Sequence, residues 1–591
     1  MFLSLMLIWA CLFGFSQETD LLTHYEKSGY LETADYEEVI RYSELLAEKS
    51  PQITYQTFGV SPQGRQLPLL IVDKDGLSNP FEIKNTGRII LLIEAGIHPG
   101  EADGTDAALM FVRDVTLTGK LPGLLENISM IVIPAFNVDG LARFGPFNRI
   151  NQNGPKEMGW RANAQNLNLN RDFLKADAPE MQSWLKMFNY WLPDFFIDCH
   201  ATDGADYEYV ATYMMEIFGN MDEGLTAWQR DEYLPCIVSE MDDSGYPVFP
   251  YVSFRRWHDP RSGLVSEAAP PRLSQGYSAI QNRPGLLIET HMLKPHRLRV
   301  EANYHFMRLT SVYLNENGNI LKDLLMKADE FVSSPEFRKD TFALRFHHDE
   351  NDSSMVEFRG VEYTMETSDL TGGNWFKYSG KPEIFTLPWF NKPVITHKAI
   401  LPEAYIIPPE WTEIIQRLPL HGIDYRLLAS ATEIEVSSYR FTAPQWSRNP
   451  YEGRHPLQEF ESEIIIEKRI FPAGSVVIDM NQRTARVIAN ILEPRAPDSY
   501  LYWGFFDAIF EQKEYSETYV MEVMAREMLA NDPDLKEEFE KWKQDNKNFA
   551  QNQWLQLNWF YSKTPYWDWK MNKYPVGKIF SRNILEVLNY Q

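Results

Sequence analysis

Residues 89–101 read Ile89-Ile90-Leu91-Leu92-Ile93-Glu94-Ala95-Gly96-Ile97-His98-Pro99-Gly100-Glu101. A short apolar run rich in β-branched residues, with no polar alternation, predicts a strand buried on both faces, as in a sheet covered by helices on each side. The run breaks into a small-residue loop carrying a histidine and a carboxylate three positions apart. At a strand end that pair is half of a metal site. It needs another ligand, a base and a group that recognises substrate before it means more than coincidence.

The neighbouring sequence repeats the pattern. Helical spacing of Tyr36, Val39, Ile40, Tyr42, Leu45 and Leu46 predicts a helix over 34–49, ended by Pro51. A strand pair is expected over 53–60 and 66–72, turned by Ser61-Pro62-Gln63-Gly64. A helix over 103–115, a buried strand over 128–135, a helix over 184–191 and strands over 194–200 and 285–291 follow. Alternation of this kind gives an α/β fold with a mixed, mostly parallel sheet flanked by helices. Its ligands are expected at the carboxyl ends of the strands.

Length and composition bound the rest. The chain has 591 residues, too many for one core, and two to four domains are expected. Hydrophobic residues at 44% and charged residues at 24% fit globular domains rather than disorder or a polytopic membrane protein. A formal net charge of -25 argues against a nucleic-acid partner, whose phosphates call for Lys and Arg. The uncharged stretch 1–16 has the length of a signal-peptide core, with Gly14 and Ser16 as small residues before Gln17. A secreted or bacterial periplasmic location is therefore expected, with lipid attachment at Cys11 as the lesser alternative. No later apolar stretch is long enough to span a bilayer, and Cys199 and Cys236 allow at most one disulfide.

A long helix over 300–331 leads to a change of texture near 330–340. Residues 340–497 are mostly short β-rich segments punctuated by Pro and Gly, read as a C-terminal accessory domain. Residues 498–591 are an aromatic-rich tail of mixed, partly helical character, with a charged helix over 532–547.

His98, Glu101 and His200, the last ending the strand 194–200, supply two imidazoles and a carboxylate. With an open fourth position that is the ligand pattern of catalytic zinc, one Zn²⁺ per chain, whereas a closed structural site would call for four ligands and usually thiolates. Glu289, at the end of an apolar strand, has no packing reason to be there, and near a cation its natural work is proton transfer. A buried ion pair with Arg283 or Arg297 is the structural alternative. His291 shares its strand face and is either a supporting group, a substrate contact or a core-edge histidine. Asn166, Asn168 and Asn170 alternate with leucines, so a strand would present three amides on one face, and Arg171 beside Asn170 suits a bidentate grip on a carboxylate.

Taken in order, the set resembles the zinc carboxypeptidase family, the carboxypeptidase A- and B-like metallopeptidases. The resemblance covers about residues 20–325. It rests on His98-Pro99-Gly100-Glu101, Pro134-Ala135-Phe136-Asn137-Val138-Asp139-Gly140, Arg161, Asn170-Arg171, Asp198-Cys199-His200 and Ile288-Glu289. It implies His98, Glu101 and His200 as zinc ligands, Glu289 as the base and Arg161 as the group that stabilises the oxyanion. It also implies Asn170 with Arg171 as the clamp on a C-terminal carboxylate, hence a peptide-like substrate with a free carboxylate. Two features depart from the family. The window 263–271 lacks a substrate-capping tyrosine, leaving Tyr277 and Tyr251 as candidates, and Glu289 is followed by Thr290-His291-Met292 rather than Leu-Arg. Hydrolysis of C-terminal peptide bonds is the leading expectation. A zinc amidase or endopeptidase on cell-wall peptides or acyl-amino acids is the enzymatic alternative, and an exported binding protein using the peptidase scaffold the non-enzymatic one.

Overall fold

The computed structural model describes residues 21–591; the apolar leader 1–16 and Cys11 lie outside the described residues. Strands β1 (Ile53–Val60), β2 (Gln66–Val72), β3 (Ile89–Ala95), β4 (Ile128–Ile133), β5 (Phe195–Thr202), β6 (Ala211–Met214) and β7 (Val248–Pro250) precede a short pair, β8 (Ser253–Arg256) and β9 (Asp259–Val265), and then β10 (Gly285–His291). Eight of them form one sheet in the order β1-β2-β4-β3-β5-β10-β6-β7. Four of its seven pairings are parallel: β3 with β4, β3 with β5, β5 with β10, and β6 with β7. The sheet is mixed and mostly parallel, as the apolar runs predict.

Both faces are covered, which is why these strands show no alternation. Leu70, Val72, Leu91, Ile93, Met130, Val132 and Ile197 point to one side and pack with the helices Tyr36–Lys49, Asp103–Thr116 and His296–Val332. The intervening residues Leu69, Ile71, Ile90, Leu92, Ile131, Ile133 and Phe196 point to the other side. There they meet the helix Pro179–Trp191 and residues from far down the chain, including Tyr405, Val487, Tyr500 and Trp503. The region after residue 340 therefore supplies one wall of the central core. The texture change near 330–340 matches the end of the long helix at Val332, but the apolar core runs across it.

That later region is β-rich. Strands β11 (Phe342–His348) and β14 (Pro393–Ala399) pair, while the long hairpin β12 (Ser354–Thr367) and β13 (Asn374–Phe390) joins β9 and β8 in a sheet ordered β12-β13-β9-β8. A third sheet runs β16-β19-β15-β20-β17-β18, from β15 (Ala404–Ile407), β16 (Arg426–Leu427), β17 (Thr432–Trp446), β18 (Leu457–Phe471), β19 (Val476–Asp479) and β20 (Gly577–Ile579). Helices Thr518–Asn531, Pro533–Asp545, Lys547–Gln551 and Gln553–Tyr561 enclose a satellite core of their own. The charged helix expected over 532–547 is interrupted at Asn546, whose backbone turns extended and whose side chain caps the next segment by accepting from Phe549 N–H. Among the described residues Cys199 and Cys236 are not disulfide-bonded. Among the described residues no helix is long and apolar enough to cross a membrane.

Candidate active site

The site begins where β3 ends. Gly96 adopts φ +71°, and a Cβ there would lie 3.2 Å from Ala135 Cα, so only glycine lets the chain turn this close to the loop after β4. Asn137 in that loop binds the pieces together: its amide oxygen accepts from Gly140 N–H, and its amide nitrogen donates to the carbonyl of Arg161 at 3.1 Å and of Ile97 at 3.5 Å. The segment 134–140 thus fixes both the loop carrying His98 and the residue carrying the guanidinium of Arg161.

Parallel register does the rest. Glu289 on β10 pairs directly with His200 on β5, and side chains in register on neighbouring strands share a face. His98, Glu101 and His200 are all buried, and one ligand atom from each lies within 4.8 Å of the others. The tautomers suit a cation. His98 Nε2 donates to Asn168 Oδ1 at 2.8 Å, so Nδ1 keeps its lone pair; buried, it has no hydrogen-bond partner and lies 3.2 Å from Glu101 Oε1. His200 places Nε2 2.8 Å from Asp198 Oδ2 and Nδ1 3.0 Å from Glu101 Oε2. Each imidazole thus has an outer acceptor that orients its inner nitrogen, the usual support of a metal-ligating histidine.

Electrostatics agree. Burial pushes the His98 imidazole down to about 4, keeping it neutral and able to ligate. Burial alone would raise the Glu101 carboxyl, but His98, Arg149 and His200 outweigh it and hold it well below the usual range. The His200 imidazole is held well above its ordinary value because Asp198 and Glu101 outweigh desolvation.

Glu289 is the partly exposed residue of its otherwise buried strand, and burial raises its carboxyl above the ordinary carboxylate value. Neither arginine suggested by the ion-pair alternative reaches it: Arg283 pairs with Asp329 and Arg297 with Glu301. Arg161 donates to Glu101 Oε1 at 3.0 Å while remaining 44% exposed toward the cleft. Arg149, not anticipated from the sequence, donates to the same oxygen at 2.8 Å and is nearly buried. These residues, with Asn170, Arg171 and Tyr251, line a cleft of about 970 Å³.

Several expectations need correction. Residues 166–170 are not a strand presenting amides. Asn163 Oδ1 accepts from the N–H groups of Gln165 and Leu167, Asn166 sits at φ +60°, and Asn168 Oδ1 accepts from Asn170 N–H at the start of a 3₁₀ turn over Leu169–Arg171. Short amide side chains that bind nearby backbone make turns in series. Asn170 nevertheless lies beside His200, its Nδ2 3.3 Å from Nε2, with Arg171 next to it in the cleft.

Tyr277 is not a cleft residue. It is fully buried in the helix Ser274–Ile280, its hydroxyl 2.9 Å from His421 Nδ1 and accepting from Gln281 Nε2 at 2.8 Å. Tyr251, on the connection between β7 and β8, is the tyrosine that faces the cleft, and burial raises its hydroxyl to about 12, with the Glu289 charge adding to the effect. His291 is also outside the cleft: Nε2 donates to Ala205 O at 2.8 Å, Nδ1 accepts from Leu293 N–H, and the ring meets Tyr207 edge-on. Thr290 points to the opposite face, where its hydroxyl donates to Asp103. Of the residues after Glu289 that depart from the family pattern, Thr290 and His291 hold neighbouring structure, while Met292 lines the cleft.

Comparison with known proteins gives the same frame. Residues 39–201 match the family model described as zinc carboxypeptidase. Carboxypeptidase 2 of Trichophyton rubrum is 23% identical over 471 residues, covering 78% of this chain and 81% of the relative, and that of Trichophyton equinum gives the same figures. Among solved structures, a metallo-carboxypeptidase from Burkholderia cenocepacia aligns over 49% of this chain and 71% of its own at 15% identity and a TM-score of 0.36. One from Pseudomonas aeruginosa aligns over 47% and 69% at 17% identity and a TM-score of 0.35. Over residues 39–201 the chain is similar to the zinc carboxypeptidases, a family of metallopeptidases.

Proposed function

We propose that the chain is an exported zinc-dependent carboxypeptidase that removes residues from the C-terminus of a peptide. The observation that carries this reading is the convergence of His98, Glu101 and His200, with Glu289 in register beside His200 on the cleft face. Zn²⁺ held by those three residues would supply a Lewis acid that brings the pKa of a water toward neutrality and polarises the scissile carbonyl.

The chain's own residues supply the remaining steps. Among the described residues none hydrogen-bonds the Glu289 side chain, which faces the cleft and, beside a bound cation, takes a proton from the attacking water and hands it to the leaving amine. The exposed guanidinium of Arg161 donates to the oxygen where negative charge develops, while Arg149, buried against Glu101, offsets the charge of that carboxylate. Arg171 and Asn170 present N–H groups to a terminal carboxylate, and Tyr251 closes over the cleft.

The test is a panel of peptides with defined C-termini, incubated with and without a chelator and analysed by mass. Stepwise release of single C-terminal residues, abolished by the chelator, is expected. Glu289→Gln should retain the parent's zinc content while kcat/KM falls on the order of 10²-fold or more. Internal cleavage, or parent-like turnover by that variant, would overturn the reading.

A further inference from the structure

The rim of the same cleft holds a second convergence of ligand atoms whose donors are all distinct from the first. Glu267 follows β9, while His347 and His348 are the last two residues of β11. Consecutive residues of a strand ordinarily point to opposite faces. His347 and His348 nevertheless both reach Glu267 with their rings. His347 Nδ1 lies 2.6 Å from Glu267 Oε1, His348 Nδ1 contacts that same oxygen, and His348 N–H approaches it at 3.3 Å. The ring centroids are 4.2 Å apart, and one ligand atom from each of the three residues falls within a 4.8 Å cluster.

The opposite ring edges are also provided for. Glu350 Oε1 lies 3.4 Å from His348 Nε2 and 3.8 Å from His347 Nε2, and Arg255 donates to Glu350 at 2.8 Å. A carboxylate on the outer side of both rings favours a proton on Nε2 and leaves Nδ1 to face a cation, the arrangement that supports metal-bound histidines. One carboxylate oxygen facing two imidazole nitrogens and a backbone N–H is crowded with donors when no cation is present. A cation among the three residues replaces the Nδ1 protons and lets both rings remain neutral. For His347 packing offers no competing reason, because its side chain is 49% exposed.

We propose that Glu267, His347 and His348 bind a second divalent ion of the zinc class at the mouth of the cleft, with Glu350 orienting the imidazoles. Two nitrogens and a carboxylate leave a position open to water or to a donor group on the substrate. Bound there, the ion ties β11 to the segment after β9 and places positive charge on the cleft rim.

The full chain, stripped with chelator and dialysed against Zn²⁺ or Co²⁺, should take up two ions, counted by elemental analysis. His347→Asn and the double variant His347→Ala/His348→Ala should each take up one fewer ion than the parent with an unchanged circular dichroism spectrum. His98→Ala should retain the rim ion. Equal uptake by the parent and the single His347→Asn variant overturns the proposal. That side chain is exposed enough for the substitution to leave folding intact, so the comparison holds even where the double variant misfolds.

Discussion

Asn168 shows how much a single side chain carries. Its amide oxygen accepts from both His98 Nε2 and Asn170 N–H, orienting one proposed ligand and one proposed substrate group at once. Outer partners of metal-bound histidines typically contribute 10- to 100-fold in metal affinity. Asn168→Ala is therefore expected to weaken zinc binding by about 10- to 100-fold, measured by competition with a chromogenic chelator. Asn168→Asp, which keeps the acceptor, should restore much of it, and unchanged affinity in the alanine variant would remove Asn168 from this role. The two tyrosines divide in the same way. Tyr251→Phe should lower turnover while leaving the melting temperature within about 2 °C of the parent. Tyr277→Phe should leave turnover unchanged and cost about 1 kcal/mol of stability, since it breaks a buried hydrogen bond to His421. The opposite pattern in kinetics and thermal melts would restore Tyr277 to the cleft. That His98, Glu101, His200 and Glu289 come together was legible because each is a polar residue, unexplained by packing, on or just after an apolar strand. Alternating asparagines look the same whether they form a strand face or a series of side-chain-capped turns, and only their hydrogen bonds distinguish the two.

Strands and loops set the next level. The bounds of β2, β3 and β10 agree with the apolar runs residue for residue, because strands covered on both faces announce themselves by composition, while β1, a half-exposed edge strand, is set by the turn that joins it to β2. The rim loops carry no such period, which is why Arg149 and the His347-His348 pair are not legible in the sequence and Tyr251 stands there only as one of two candidate tyrosines. One rim segment has a pH-sensitive anchor. Glu216, just after β6, is buried and accepts from Ala269 N–H at 3.1 and 3.2 Å and from Asn220 Nδ2 at 2.7 Å, holding the segment that lines the cleft. Burial pushes its carboxyl up to about 8 from an ordinary 4.5. The folded state therefore keeps a proton that the unfolded chain releases above about 4.5. Its stabilising contribution is complete below that pH and is lost as pH rises to about 8. Thermal melts of the parent should fall between pH 5 and 8, and Glu216→Gln, which keeps an uncharged hydrogen-bonding group, should flatten that slope. An identical slope in the variant would show that another group is responsible.

At the scale of the molecule, the C-terminal half is part of the catalytic half's core. Leu69, Ile71, Leu92 and Phe196 share one buried cluster with Tyr405, Val487, Tyr500 and Trp503. Polar contacts repeat the connection: Arg454 grips Asp177 with two bonds of 2.7 Å, Arg272 pairs with Asp498, and Glu452 accepts from Asn168 N–H at 2.9 Å. The last contact reaches the turn that orients His98. A change of texture in a sequence reports which elements follow, not which surfaces they cover, so the boundary near 330–340 could be seen while the shared core could not. Removing everything after residue 335 would expose one face of the central sheet, and at roughly 25 cal/mol per Å² even a few hundred Å² of newly exposed apolar surface is comparable to the whole stability of a domain. A chain ending at residue 335 is therefore expected to aggregate or to lose its near-ultraviolet circular dichroism, and to bind zinc at least tenfold more weakly than the full chain. If that fragment instead melted cooperatively near the parent's temperature with parent zinc affinity, the catalytic half would be a self-sufficient domain and the later region an attachment. The Asp177 ion pair gives a finer test of the same coupling. Asp177→Ala leaves Arg454 and Arg417 without their shared carboxylate and should cost about 2–4 kcal/mol of stability in denaturant titrations at pH 7. The Arg454 and Lys175 charges hold this carboxyl down to about 2 against the effect of burial, so the contribution is present above pH 4 and fades as pH falls toward 2.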